Sequence, residues 1–341
     1  MKIVYLTVLC FISFLSHVRS QQKPHYTQYL LNQYILNPAL TGIENYTDIK
    51  MSHRVQWDGF KGAPVTSYFT VNTPLGKKTI SNDRIYNYKN ESIQSVPTWD
   101  EGEPMNPYHG IGLQLVNDVI GPFNTLTGFL TYAYHMSLNR DTRLSAGLGA
   151  GLNSQRLNVD DLYFGNTANF DPAAVQQTLS NERSKLDLNF GLWLYKKNLF
   201  AGFSVQQLIP QFIGKPDVNS PILNGSNVPH YFFTAGYSMN HQSGISFITS
   251  VMIKYISSAP IQADINVKGQ IGDLFFVGAS YRTGYGFAGL TGLTFNNKWM
   301  LTYSYDYTTT ILNQVSRGSH EIILGYRLRG DKILPCPVGV W

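Results

Sequence analysis

Strict two-residue alternation is the feature that most limits what this chain can become. Along residues 298–307, Trp299, Leu301, Tyr303, Tyr305 and Tyr307 alternate with Met300, Thr302, Ser304 and Asp306. Successive side chains of a strand point to opposite faces, so one face of this segment is aromatic and apolar and the other is small or polar. The same period repeats through residues 228–328, with connections of only a few residues, which predicts an antiparallel meander. A soluble sandwich would show the same period, so the rest of the chain must decide which solvent each face meets.

The N-terminus points out of the cytoplasm. Met1-Lys2 precedes an apolar run over residues 3–15, and Val18 and Ser20 supply the small residues of a cleavage site, so residues 1–20 read as a signal peptide cut before Gln21. Cys10 would leave with it, and the remaining Cys336 has no partner for an internal disulfide and no second thiolate for a metal site. Hydrophobic residues make up 43% of the chain, yet beyond the signal no run approaches the roughly 20 apolar residues of a spanning helix. Export, alternation and aromatic richness together predict an all-β, outer-membrane, antiparallel up-and-down barrel. The expected division is a signal peptide at 1–20, a periplasmic or lumenal N-terminal segment at 21–45 and the barrel at 46–341.

Alternation can be counted into about fourteen strands, the first near 46–57 and the last near 318–328, an even number as bacterial barrels require. With the N-terminus inside, the turns 137–141, 196–197, 241–243, 271–272 and 296–297 face the periplasm and are short. The longer connections 155–183, 209–228 and 308–317 fall on the outer side, as barrels prefer. Residues 76–107 break that rule as a long periplasmic excursion. The segment 21–47 does not alternate; it contains a short helix expected near 27–35 and an Asn37-Pro38 turn, and it is too polar for lipid. Its many Tyr and Leu residues favour an ordered segment in the barrel mouth or beneath it.

The faces agree with a lipid-facing wall. Leu144, Ala146, Leu148, Ala150 and Leu152 oppose Ser145, Gly147, Gly149, Gly151 and Asn153, and Leu186, Leu188, Phe190, Leu192 and Leu194 oppose Asp187, Asn189 and Gly191. Glycine weakens a strand unless something approaches closely, so the glycines of the polar face predict a crowded lumen. Trp57, Tyr108, Tyr195, Tyr231, Tyr255, Tyr281, Tyr285 and Trp299 are the expected interfacial girdles.

Little chemistry is attached to this wall, and no enzyme activity or cofactor is expected. In Ser319-His320-Glu321 the histidine points away from its neighbours, so the three cannot form a relay. The eight histidines contain no pair at metal-binding spacing on one face. No helix follows the glycine-rich 147–151, so a phosphate loop is excluded. Asp160-Asp161 and Asp171 lie in an expected outer loop and could bind a calcium ion, but solvated loop charges are the commoner explanation. A net charge of +5 without a basic run gives nucleic-acid binding no support. Inward Lys50, Arg54, Lys254, Lys268, Arg282, Arg327 and Arg329 can pair with Asp118, Asp187, Asp264, Asp306 and Glu321 across the lumen.

Residues 26–42 (Tyr-Thr-Gln-Tyr-Leu-Leu-Asn-Gln-Tyr-Ile-Leu-Asn-Pro-Ala-Leu-Thr-Gly) and 54–66 (Arg-Val-Gln-Trp-Asp-Gly-Phe-Lys-Gly-Ala-Pro-Val-Thr) resemble the opening of the PorP/SprF family, membrane proteins of the Bacteroidetes type IX secretion and gliding systems. Further matching pieces include Gly110-Ile111-Gly112, Asn117-Asp118, residues 186–191, Tyr281-Arg282, residues 304–307, residues 318–322 and Cys336-Pro337. Within these motifs Tyr29, Asn32, Asn37, Pro38, Arg54, Trp57, Gly59, Phe60 and Pro64 are the candidates for seating the N-terminal segment or building a partner surface. Seating is favoured, because a buried segment needs matched turn chemistry.

The resemblance implies an outer-membrane protein needed for secretion, surface display or anchoring of a large partner, such as a gliding adhesin held through its C-terminal domain. One branch of the family is linked to the periplasmic ring and peptidoglycan-binding components of the secretion machine, which makes them a second class of expected partner. On that expectation the outer loops 155–183 and 209–228 would grip a surface partner, and 76–107 with the N-terminal segment would face periplasmic ones. The alternative is a porin or solute transporter, which needs a continuous polar channel.

Overall fold

The computed structural model describes residues 26–77, 106–158, 183–196, 198–209, 212–213, 225–226, 228–240, 245–257, 259–272, 274–296 and 298–328. The expected signal peptide and its Cys10, Asp160, Asp161, Asp171, Arg329 and Cys336 lie outside these residues, as do most of the connections 76–107, 155–183 and 209–228.

Fourteen antiparallel strands close into one barrel. In chain order they are β1 (Thr47–Val55), β2 (Val65–Leu75), β3 (Tyr108–Ile120), β4 (Phe123–Ser137), β5 (Arg143–Leu157), β6 (Arg183–Tyr195), β7 (Leu199–Gln206), β10 (His230–Asn240), β11 (Ile245–Ile256), β12 (Ala259–Ile271), β13 (Phe275–Arg282), β14 (Gly286–Phe295), β15 (Trp299–Thr308) and β16 (Ser319–Leu328). Two short strands, β8 (Phe212–Ile213) and β9 (Gly225–Ser226), pair only with each other in the connection after β7. Closure is made by β1 and β16, in register from Thr47↔Leu328 to Val55↔His320. Each strand begins and ends within a few residues of where alternation places it.

Parity decides the two faces. Leu148, Leu152, Leu186, Ile261, Ile265, Leu301 and Ile322 are exposed on the outer wall, where the solvent is lipid, while Asp187, Asn189, Asn266 and Ser304 are buried inside. Tyr255, Tyr281 and Trp299 stand outward near strand ends, at girdle positions. Tyr108 and Tyr195 do not. Each is only 1% exposed, because the parity that carries Asp187, Asn189 and Gly191 inward carries Tyr195 with them. Tyr108 lies opposite His135 in the β3–β4 pairing and stacks on its ring, with centroids 4.3 Å apart.

The lumen is full. Residues 26–43 enter it as a chain of three 3-10 turns, Tyr29–Leu31, Gln33–Ile35 and Pro38–Leu40, not as the single helix expected near 27–35. Asn32, with φ −141° and ψ 58°, separates the first two turns. The third is capped by Asn37, whose side chain accepts a hydrogen bond from Ala39 N at 2.9 Å. A regular helix would fix its polar groups to itself; the shorter turns leave carbonyls free for the wall. Tyr34, Ala39, Leu40 and Ile43 pack against Trp193, Tyr195, Phe200 and Ile248, Tyr29 and Leu30 against Phe232 and Met252, and Ile35 against Tyr68, Met300 and Ile323. The inner face is therefore more apolar than its Ser, Asn and Gly content suggests.

Candidate functional site: the seat of the N-terminal segment

The N-terminal segment runs down the lumen. Thr27 and Gln28 meet Arg54, Asp306 and Glu321, each within two residues of the long-loop ends of β1, β15 and β16. Gly42 N donates to Asn72 Oδ1 at 2.9 Å, and Thr41 O meets His135 Nε2 at 2.8 Å, near the opposite end of the wall, where β4 enters the short turn to β5. Short turns face the periplasm in such barrels, so the segment descends from the outer half to the periplasmic end and turns back up as β1.

Its upper end is held by a buried charge cluster. Arg54 is 1% exposed and Glu321 0%. Arg54 Nη2 donates to Asp306 Oδ2 at 2.6 Å, and Arg54 Nη1 reaches Glu321 Oε2 at 3.3 Å and Thr27 Oγ1 at 2.6 Å. Thr27 passes the interaction on, donating from Oγ1 to Asp306 Oδ2 at 2.6 Å and from its backbone N to Glu321 Oε2 at 2.8 Å. Gln28 Nε2 donates to Glu321 O at 2.7 Å, and Thr302 Oγ1 donates to Gln28 Oε1. A buried arginine is tolerable only with partners that offset its lost hydration, and here strands β1, β15 and β16 supply them around the segment.

Lower contacts ring the barrel. Asn32 Nδ2 donates to Thr70 Oγ1 at 3.0 Å, and Asn266 Nδ2 donates to Tyr29 OH at 2.5 Å. Tyr34 OH shares a 2.6 Å bond with Thr131 Oγ1. Gln114 Nε2 donates to Tyr34 O at 2.8 Å, and Gln206 Nε2 donates to Ile35 O and Leu36 O at 3.0 and 2.9 Å. Asn37 Nδ2 reaches Leu192 O at 3.1 Å and Phe203 O at 3.3 Å. Backbone meets backbone where the wall has no side chain: a Cβ on Gly147 would collide with Pro38 and Ala39, and one on Gly191 with Asn37 Oδ1.

Among the residues singled out from the sequence, Tyr29, Asn32, Asn37, Pro38 and Arg54 thus come together in the lumen. Trp57, Gly59, Phe60 and Pro64 instead form the outer β1–β2 turn. Trp57 takes φ 54° and Gly59 φ 89°, Trp57 N donates to Ser319 Oγ at 3.1 Å, and Pro64 O accepts from Gln56 N at 2.9 Å. Phe60 is 47% exposed.

Other inward charges meet partners along the wall. Arg282 Nε and Nη2 clasp Asp264 at 2.9–3.0 Å, and Lys254 lines a recess with both of them and Tyr26. Lys268 Nζ lies 5.6 Å from the Phe276 ring centre and Arg327 Cζ 5.5 Å from that of Tyr46. Asp187 accepts from the neighbouring Leu188 N, and Asp118 from Thr66 Oγ1. Lys50 pairs with Asp48 two residues away on its own strand. Sequence reasoning missed Thr27, Gln28, Gln114 and Gln206, which look like ordinary polar residues until the lumen brings them to the segment.

A family model described as "Type IX secretion system membrane protein PorP/SprF" matches residues 18–326. The chain belongs to the PorP/SprF family. The segments that carry the family likeness in the sequence, residues 26–42, 54–66, 304–307 and 318–322, are the ones this member brings together at the Arg54 cluster. No curated protein matches the chain. Among solved structures it is similar to the Acinetobacter baumannii outer membrane protein Omp33 (8% identity, 84% of this chain and 100% of that one, TM-score 0.46). It is also similar to the Pseudomonas putida toluene transporter TodX (9%, 91% and 96%, TM-score 0.49) and to the Escherichia coli outer membrane phospholipase A (10%, 84% and 93%, TM-score 0.35).

Proposed function

We propose that this PorP/SprF member is a closed, non-enzymatic outer-membrane barrel that serves secretion, surface display or anchoring of a large partner protein, such as a gliding adhesin held through its C-terminal domain. The observation that carries the reading is the lumen: residues 26–43 fill it and are bonded to strands around its circumference. A solute carrier needs a continuous wet path; a docking platform needs a rigid scaffold bearing loops. The only Ser-His-Glu run supports no relay, since His320 bonds Tyr303 OH on the lipid side while Ser319 and Glu321 are buried inside. The outer connections 155–183 and 209–228 are the proposed grip for the surface partner. Residues 76–107 are proposed to meet periplasmic ring or peptidoglycan-binding proteins, and residues 1–20 to be the cleaved export signal.

The test is a mild-detergent pull-down of the tagged protein from its own outer membrane, with mass spectrometry of what remains bound. One very large secreted protein supports the anchoring role; ring and peptidoglycan-binding proteins place this member in the machine. Isolation alone, with stable conductance steps in a planar bilayer, would overturn the proposal in favour of a channel.

A further inference from the structure

The connection between β15 and β16 leaves the mouth and lies against the outside of the wall. Asn313 Nδ2 donates to Tyr307 OH at 2.9 Å, and Tyr305 OH donates to Arg317 O at 3.0 Å. Tyr305 and Tyr307 belong to the lipid-facing row that begins at Trp299, so these bonds hold the loop at the outer girdle. A second loop braces it: Asp58 N donates to Gly318 O and Arg317 N to Asp58 O, both at 2.8 Å. Although so firmly tied, its 3-10 turn, Ile311–Gln314, buries no residue. Ile311 is 81% exposed and Val315 56%. Ile311 opens the turn and Val315 caps its end, so both ends of the turn carry an uncovered apolar side chain. Arg317, two residues beyond Val315, is exposed, as is Lys61 on the bracing loop.

Apolar side chains kept at the membrane boundary and bordered by cations match the chemistry of an interfacial anchor, with the apolar groups at the acyl boundary and the cations near lipid phosphates. We infer that residues 309–318 form a lipid foot: Ile311 and Val315 enter the outer leaflet, and Arg317 with Lys61 meets anionic headgroups. Continuity with the lipid-facing wall selects lipid over a protein partner, because the foot begins where the tyrosine row ends. Its place beside the β1–β16 closure fixes that sector of the barrel against the membrane surface.

Nitroxide labels at Ile311→Cys and Val315→Cys, each in the full chain carrying Cys336→Ser, test this in vesicles of phosphatidylethanolamine and phosphatidylglycerol. Labels at Leu301→Cys on the lipid wall and Arg140→Cys in a periplasmic turn bracket the scale. The expected oxygen-to-nickel accessibility ratio at 311 and 315 is close to that at 301 and severalfold above that at 140. Lys61→Gln with Arg317→Gln is expected to lower the ratio in these vesicles and to leave it unchanged in phosphatidylcholine alone. Ratios at 311 and 315 equal to that at 140 would place the foot in water and overturn the inference, in favour of a protein-docking surface. An equal response to the charge substitutions in both vesicle types would overturn the anionic headgroup part.

Discussion

Arg54 is a cation that water cannot reach, and its charge is offset by Asp306 and Glu321. Arg54→Met would leave two carboxylates facing each other in a dry site, and removing one partner of such a cluster costs about 3–5 kcal/mol. The expected result is a lower urea midpoint for the barrel, read by its loss of heat-modifiable migration. Adding Asp306→Asn and Glu321→Gln should recover most of the loss, because the orphaned charges go with the arginine. Arg140→Gln, in an exposed turn, should stay within about 0.5 kcal/mol of the parent. Gly191→Val works by volume: its side chain would occupy the place of Asn37 Oδ1. Overpacking of this kind typically costs about 1–3 kcal/mol, and proteolysis should then cut between residues 26 and 43 faster than in the parent, while Gly289→Val, where an added side chain meets open space, should not change the cleavage rate at that segment.

At the scale of elements, the N-terminal segment and the strands were not equally legible. Strands declare themselves because parity is local: Leu186 and Asp187 reveal opposite faces without knowledge of any neighbour. Even the girdle positions misassigned at Tyr108 and Tyr195 follow once parity is applied through to the strand end. The segment follows no local rule. Its 3-10 turns are held by Gln114, Gln206 and Thr131 on distant strands, so a short-range helix reading had nothing to correct it. The glycines were the one partial signal: Gly147 and Gly191 forecast a close approach but could not name Pro38 and Asn37 as what approaches. The charge cluster was visible as residue types only, since Thr27 and Glu321 are 294 positions apart. Deleting residues 26–43 should open the lumen and yield conductance steps absent from the intact protein, checked in the same planar bilayer; a deleted barrel that inserts and stays silent would mean that the wall's own side chains close it.

For the whole molecule, two sets of contacts meet at one place. The Arg54 cluster lies inside the β1–β16 closure, and the interlocked outer loops lie above it. The barrel is consequently tied on both sides of the wall where its two ends join. The intact protein should give no stable conductance in a planar bilayer, whatever the salt, because neither the segment's hydrogen bonds nor its apolar contacts depend on screened surface charge. The descent of the N-terminal segment through the lumen also dictates an order of assembly. To enter a ring already sealed, the chain end would have to be pulled past Arg54, Asp306 and Glu321, so the segment must lie along the nascent sheet before the last hairpin arrives. Asp306 and Glu321 arrive with that hairpin, and the barrel becomes a ring in the same event that neutralises Arg54: sealing doubles as a check that the first residues are in place.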